Sequence, residues 1–319
     1  MIQLLIFLLG QGPEIILDYE VMNGTQLNAI AAQNGVIHIA ADDGLILSKT
    51  GEGIWIDTRF SATRYDFDAV IFFNGEAYVS GRKDAGGVVA TVLCPIDIDF
   101  PSRITGMATD GTTLFAYAED QTFWTSTDGL TFNQQVGSTT LPPVRFGVTH
   151  LIDGVYLTGG SHWGTSSNGL DWNTFANAVQ AFAFNGSTKA FLTDTFMGVT
   201  TGPVDGTWTF LNHGMTDIHR PVMVHTTGSV YYAFGENTVN VEEGIIYETD
   251  DISQQLNYTE HPQSLSFPAM RSYVKVGFTV YLAGDNGTIL SMNVNPLLGI
   301  LEQWPTPLSI LDFLDVMDP

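Results

Sequence analysis

The 319-residue chain carries 34 acidic against 11 basic residues, a net charge of −23, and so lacks the basic footprint by which proteins hold nucleic acids or anionic membrane surfaces. Its single cysteine, Cys94, excludes an intrachain disulfide and a multi-cysteine metal site. Such an acidic excess instead favours solubility and contact with cations or basic protein surfaces.

The chain opens on the apolar run Met1–Leu9. Nine residues are too few to span a bilayer, which takes about 20. No Lys or Arg precedes Lys49, so the charged region of a signal peptide is missing. The run is read as a retained strand or as an arm that docks on a neighbour, cleavage being the alternative. Glu14–Val21 follows as a spare apolar strand.

From there one hairpin recurs. Its clearest copies are Val36–Ser48 and Val280–Ser291, in which an apolar strand turns on Asp or Asn with Gly and an apolar strand returns. Tight-turn signals stand at Asn34-Gly35, Asn74-Gly75, Asp110-Gly111, Asp153-Gly154, Asn185-Gly186, Thr227-Gly228 and Val276-Gly277. The first five are dipeptides that suit type I′ hairpins. Their spacings of 40, 36, 43, 32, 42 and 49 residues match a four-stranded propeller blade. Seven copies result, at 24–60, 63–101, 102–140, 142–176, 177–212, 216–260 and 266–295. In each, strand A precedes the turn, strand B follows it, and strands C and D complete the repeat. For the third copy the strands are placed at Ile104–Ala108, Thr113–Ala118, Thr122–Ser126 and Leu130–Gln134. No stretch inside the repeats has a helical period.

The seventh copy has no obvious fourth strand. Glu14–Val21 supplies one if the two ends of the chain pair, which would close a ring and remove an exposed edge. Leu298–Trp304 is the alternative. The expected fold is therefore all-β: a seven-bladed β-propeller, with six or eight blades as alternatives, at 14–295 between an N-terminal arm at 1–13 and a tail at 296–319. Near the end, Ser309–Met317 places Ile310, Phe313, Leu314 and Met317 on one face of a short helix capped by Ser309. Such a segment packs on the body or binds a partner.

Strands C and D of the third and fourth copies are joined by Ser126-Thr-Asp-Gly-Leu-Thr-Phe132 and Ser166-Ser-Asn-Gly-Leu-Asp-Trp172. These resemble the Asp-box of the BNR/sialidase-like propeller superfamily, carried by Ser126, Asp128, Gly129 and Phe132, and by Ser166, Asn168, Gly169 and Trp172 with Asn in place of Asp. In such a turn the Asp or Asn side chain bonds backbone N–H groups and Gly takes positive φ. Weaker relics end at Trp55 and Trp208. The resemblance implies a propeller; it implies no activity, because the Asp-box is a folding device. Sialidases in that superfamily hold a carboxylate with three arginines and use a Tyr/Glu pair. Here Tyr273 is available, but no partner Glu is identifiable and the Arg-Ile-Pro signature is missing.

Five arginines, Arg64, Arg103, Arg145, Arg220 and Arg271, fall shortly before strand A of copies 2, 3, 4, 6 and 7, and the B–C loops at the same end of a ring carry acids that include Asp120, Asp194 and Asp285. Two readings stand. The arginines pair with carboxylates of their own or the adjacent blade and lock the blades together, or they converge on an anionic ligand while the acids hold a cation. No catalytic motif, metal-ligand pattern, phosphate loop or dinucleotide fingerprint is present. His213, His219 and His225 have no zinc spacing, and His38 reads as a packed residue.

The expected function is that of a non-enzymatic structural or protein-interaction propeller, with end segments that suit a virion component such as a phage-tail or capsid-attached protein. An Asp-box glycan-binding or glycosidase module and an assembly factor docking on a larger complex are the alternatives. The expected partners are other protein subunits, met through Met1–Leu9 and the tail after Pro296, with a glycan as a further candidate and with neither nucleic acid nor membrane insertion. No cofactor is expected beyond a cation at the acidic loops. The expected setting is a virion or the extracellular space, the cytoplasm being the alternative.

Overall fold

In the computed structural model, the described residues are 15–21, 24–60, 64–93, 96–135, 144–160, 163–169, 171–175, 178–179, 181–184, 188–193, 195–215, 218–225, 231–237, 244–249, 259–260 and 267–294. The N-terminal arm, the tail after Pro296, Cys94, Asp194 and the turns at Asn185-Gly186 and Thr227-Gly228 lie outside them.

These residues form seven antiparallel sheets of four strands, A to D in chain order. Sheet 1 holds Leu27–Gln33, Val36–Ala41, Leu45–Thr50 and Ile56–Arg59, and sheet 2 holds Tyr65–Phe73, Glu76–Lys83, Gly86–Thr91 and Asp97–Phe100. Sheet 3 holds Ile104–Thr109, Leu114–Ala118, Phe123–Ser126 and Asn133–Gln135, and sheet 4 holds Val144–Ile152, Val155–Gly160, Trp163–Ser166 and Asn173–Phe175. Sheet 5 holds Ala181–Phe184, Lys189–Leu192, Met197–Thr200 and Thr209–Leu211, and sheet 6 holds Ile218–His225, Tyr231–Asn237, Gly244–Thr249 and Thr259–Glu260. Sheet 7 takes Met270–Val276, Thr279–Gly284 and Thr288–Asn293 from the end of the repeats, and its fourth strand, Ile15–Glu20, from the start of the chain. The spare strand therefore closes the last sheet, as the apolar pattern of Glu14–Val21 suggests. Leu298–Trp304, the other candidate, lies outside the described residues.

A four-stranded sheet this short cannot bury its own faces, so each covers its neighbours. Tyr78 and Val79 show how: alternation sends Tyr78 toward sheet 3 and Val79 toward sheet 1. Apolar clusters join sheet 1 to 2, 2 to 3, 3 to 4, 4 to 5, 5 to 6, 6 to 7 and 7 back to 1. The architecture is an all-β propeller. Strands B and C are buried on both faces, whereas strand D lies at the rim; all four residues of Ile56–Arg59 are exposed.

The turns between strands A and B follow the dipeptides. Asn34, Asn74 and Asp153 have φ of 52°, 51° and 52°, each followed by a glycine at positive φ. Asp110 departs from this. It stays out of the left-handed region, and its carboxylate accepts from the backbone N–H groups of Thr112 (2.8 Å) and Thr113 (2.7 Å).

Strand A starts with a bulge in sheets 1, 2, 3 and 7, at Asn28, Asp68, Thr105 and Arg271. The facing strand B residue is small at each bulge: Ala41, Gly81, Ala118 and Gly284. At Gly81 the Asp66 carbonyl fills the place of a Cβ, and at Gly284 the Ala269 carbonyl does so. The recurring small residue that ends strand B is thus the mate of a bulge.

Candidate functional site at the charged end of the ring

Because strands alternate in direction, the D–A connections and B–C turns share one end of the ring. The bulges sit at that end and turn polar side chains inward from an apolar strand. Asn28 Nδ2 donates to Asp42 Oδ1 (2.8 Å) and to the carbonyl of Phe67 (2.8 Å), which ties sheet 1 to sheet 2. Asp68 accepts from Arg103 Nε at 2.5 Å and from Nη2 at 2.6 Å, which ties sheet 2 to sheet 3. This pair is bidentate, and the Asp68 side chain is only 1% exposed. Burial pushes the Asp68 carboxyl up to about 7 despite the guanidinium beside it. Burial also raises Asp42, against the bond from Asn28.

Three further arginines at this end pair within their own sheets. Arg64 Nε and Nη2 hold Asp84 at 3.1 and 2.6 Å, Arg82 bonds Asp66, and Arg271 bonds Asp285. Asp66 also accepts the backbone N–H of Asp43 from sheet 1 (3.3 Å). The charges therefore run as one arc from sheet 7 through sheets 1 and 2 to sheet 3. Asp42 reflects this: the positive charges of Arg103 and of Arg271 both act on it.

Of the eight residues expected in the ring, Arg64, Arg103, Arg271 and Asp285 are in ion pairs. Asp120 differs. Its carboxylate accepts from Thr122 N–H (3.0 Å) and Thr122 Oγ1 (2.6 Å), closing its own turn. Arg145 and Arg220 fall inside strand A of sheets 4 and 6 rather than before it, and Arg271 is also within its strand. The side chains of Arg145 and Arg220, like Asp194, lie outside the described residues. The partner of Arg103 is a strand residue, Asp68, where a loop carboxylate is expected from the sequence. Asn28, Asp66, Asp68 and Arg82 were all missed, though an acid inside the apolar run Tyr65–Phe73 is a visible signal.

The two Asp-box-like turns lie at the other end and form as their residues imply. Asp128 Oδ1 accepts from the N–H groups of Leu130 (2.8 Å) and Thr131 (2.7 Å), and Ser126 Oγ accepts from Gly129 N–H (2.8 Å). The bond from Thr131 N–H, then that from Leu130, holds the Asp128 carboxyl down at about 2. In the second turn Asn168 Oδ1 accepts from Asp171 N–H (2.9 Å), so the amide oxygen replaces the carboxylate. Gly129 (φ 75°) packs on Tyr78 of sheet 2, and Gly169 (φ 74°) on Phe115 of sheet 3, leaving no room for a Cβ. Trp172 meets Tyr117 edge-on at 5.7 Å. Each turn therefore also fixes its sheet against the preceding one. The weaker relic at Trp55 does the same between sheets 1 and 7, where Trp55 meets Tyr281 at 6.0 Å.

The other candidates are packing residues. His38 is buried, bonds Ser48 Oγ at 2.8 Å, and is shifted down by burial. His213 Nδ1 accepts from Met215 N–H (3.1 Å), so Nε2 carries the proton given to the Thr193 carbonyl (3.3 Å). Tyr273 lies against the apolar cluster between sheets 6 and 7, where burial pushes its phenol up to about 12, away from a nucleophile's range. Among the described residues, no group of three or more His, Cys, Asp or Glu is placed to hold a metal ion, and no helix is long and apolar enough to cross a membrane.

No family model and no curated protein matches the chain. Solved structures do. A catalytically inactive virginiamycin B lyase from Staphylococcus aureus with quinupristin has a TM-score of 0.68 at 12% identity, over 89% of this chain and 100% of that one. YCF48 from Cyanidioschyzon merolae has a TM-score of 0.63 at 13% identity, over 88% and 98%. The WD40 β-propeller domain of Doa1 has 0.60 at 10% identity, over 92% and 100%. The likeness is one of fold. At such identities the activities of these propellers do not carry over.

Proposed function

We propose that the chain is an Asp-box propeller of seven blades, one per sheet, that serves as a non-enzymatic protein-interaction disc in a larger assembly. In this reading the assembly is a virion and the chain is a tail or capsid-attached component. The observation that supports it is the state of the charges. Arg64, Arg82, Arg103 and Arg271 are each engaged by a carboxylate of the same or the neighbouring sheet. Arg103 locks sheet 3 to sheet 2 and the other three brace their own sheets, so all four are committed to carboxylates of the ring instead of converging on an anionic substrate. Partner contacts then fall to segments outside the ring, Met1–Leu9 and the tail after Pro296. The test is to delete residues 1–12 and 297–319 and to measure incorporation into particles or complexes. Undiminished incorporation would overturn the reading, as would hydrolysis of a sialoside or a specific signal on a glycan array.

A second reading is an assembly factor that holds a peptide of a larger complex. One similar propeller, YCF48, is solved bound to D1 peptide. Association with an assembly intermediate that is lost in the finished complex would favour this reading over a permanent subunit.

A further inference from the structure

The two ends of the ring differ in chemistry. Opposite the charged end lie the A–B and C–D turns. Hydrogen bonds hold them together, from Gly51 N–H to the Gly35 carbonyl (3.0 Å) and from Val294 N–H to that of Phe278 (2.6 Å). Nine large apolar side chains are exposed among the described residues, and six of them belong to this turn end: Ile54, Ile56, Leu93, Ile96, Leu130 and Phe278. They fall on consecutive sheets, with Phe278 on 7, Ile54 and Ile56 on 1, Leu93 and Ile96 on 2, and Leu130 on 3. Ile54 is 83% exposed and Leu93 76%. Scattered apolar residues at a surface need no explanation, but six gathered at one end over four consecutive sheets point to a contact surface.

We propose that this arc is the docking surface for the chain's own C-terminal segment, with the apolar face of Ser309–Met317 laid across it. Where the ring ends carries the argument. The last described residue, Val294, leaves sheet 7 at the turn end, bonded to Phe278, itself a member of the arc. The 15 residues from there to Ser309 reach at most about 50 Å. Packed sheets lie about 10 Å apart, so sheets 7, 1, 2 and 3 are all within range. At helical period Ile310, Phe313, Leu314 and Met317 form one face, while Asp312 and Asp315 fall on the other. Tethering at the edge of the arc gives this segment a high effective concentration that a separate partner lacks. The proposal goes beyond the interaction-disc reading. It gives the tail a resting place on its own ring, which a partner must displace.

The test is hydrogen exchange by mass spectrometry on the isolated full chain at two protein concentrations. Two double variants are compared with the parent: Leu93→Asp with Phe278→Asp on the arc, and Phe313→Asp with Leu314→Asp on the tail. The arc positions are exposed, so these changes leave the ring folded. Docking predicts about tenfold faster exchange in residues 309–317 for the arc variant, and faster exchange in residues 51–56 for the tail variant, both independent of concentration. Unchanged exchange in 309–317 of the arc variant would overturn the proposal. Protection that grows with protein concentration would do so too, by assigning the arc to a second copy, and acceleration in residues 1–9 instead would assign it to the N-terminal arm. None of these outcomes bears on particle incorporation, so the proposal and the functional reading fail separately.

Discussion

Asp68 sits where no water reaches it and is held at two points by one guanidinium. Removing that guanidinium strands a buried carboxylate, so Arg103→Ala is expected to cost about 3–5 kcal/mol, read from denaturation midpoints at pH 8. The pH dependence has a definite sign. Folding raises the Asp68 carboxyl from 3.8 to about 7, so the folded state binds the proton more tightly. The stability from this group is complete below pH 3.8 and lost as pH rises through about 7. In Asp68→Asn this decline between pH 4 and pH 7 should flatten, which a series of denaturation midpoints would show. At Gly129 the constraint is steric. Gly129→Ala drives a methyl into the Tyr78 ring at a left-handed φ, and is expected to cost about 1–3 kcal/mol by the same measurement. Asp128, Gly129, Ser166 and Asn168 were legible in the sequence because their bonds close within five residues. Asp68 was not. Its role comes from a bulge and from an arginine 35 residues away, and neither leaves a local pattern.

Among the elements, the strand Ile15–Glu20 has the largest consequence. It pairs along Thr288–Asn293 and carries a bulge at Asp18. Asp18 Oδ2 accepts from Trp55 Nε1 (2.6 Å) and Lys49 Nζ (3.2 Å), both on sheet 1. Lys49 in turn lies over the rings of Trp55 and Tyr281, at 5.3 and 4.9 Å. One carboxylate thus fastens the closing strand to the next sheet. Asp18→Ala leaves both donors without this acceptor and should lower stability by about 1–3 kcal/mol, checked by thermal or chemical unfolding. The closing strand was legible as an unclaimed apolar run. The Asp18 contacts were not, because they depend on which sheets become neighbours. In sheet 3 the fourth strand begins at Asn133, after the expected Leu130, because the Asp128 turn occupies the residues before it. The turn chemistry wins there over the apolar alternation of Leu130 and Phe132.

For the whole molecule, the period of the turns was enough to divide the chain into its sheets. Tight hairpins are local, and their spacing is set by the length of four strands. The difference between the two ends of the disc was only half legible. Arg64, Arg103, Arg271 and Asp285 were placed together because they all flank strand A or the B–C turn. The apolar arc was not foreseen. Ile54, Leu93 and Phe278 read in the sequence as ordinary apolar residues, and only the stacking of C–D turns on A–B turns leaves them uncovered.

Closure by the first strand also bears on how the chain is made. The strand that Ile15–Glu20 must join is translated about 270 residues after it, a wait of roughly 15–55 s at ordinary elongation rates. Through that interval the nascent polypeptide holds the β-edge of Ile15–Glu20 unmatched. Such an edge is suited to co-translational capture by a chaperone until synthesis delivers its mate.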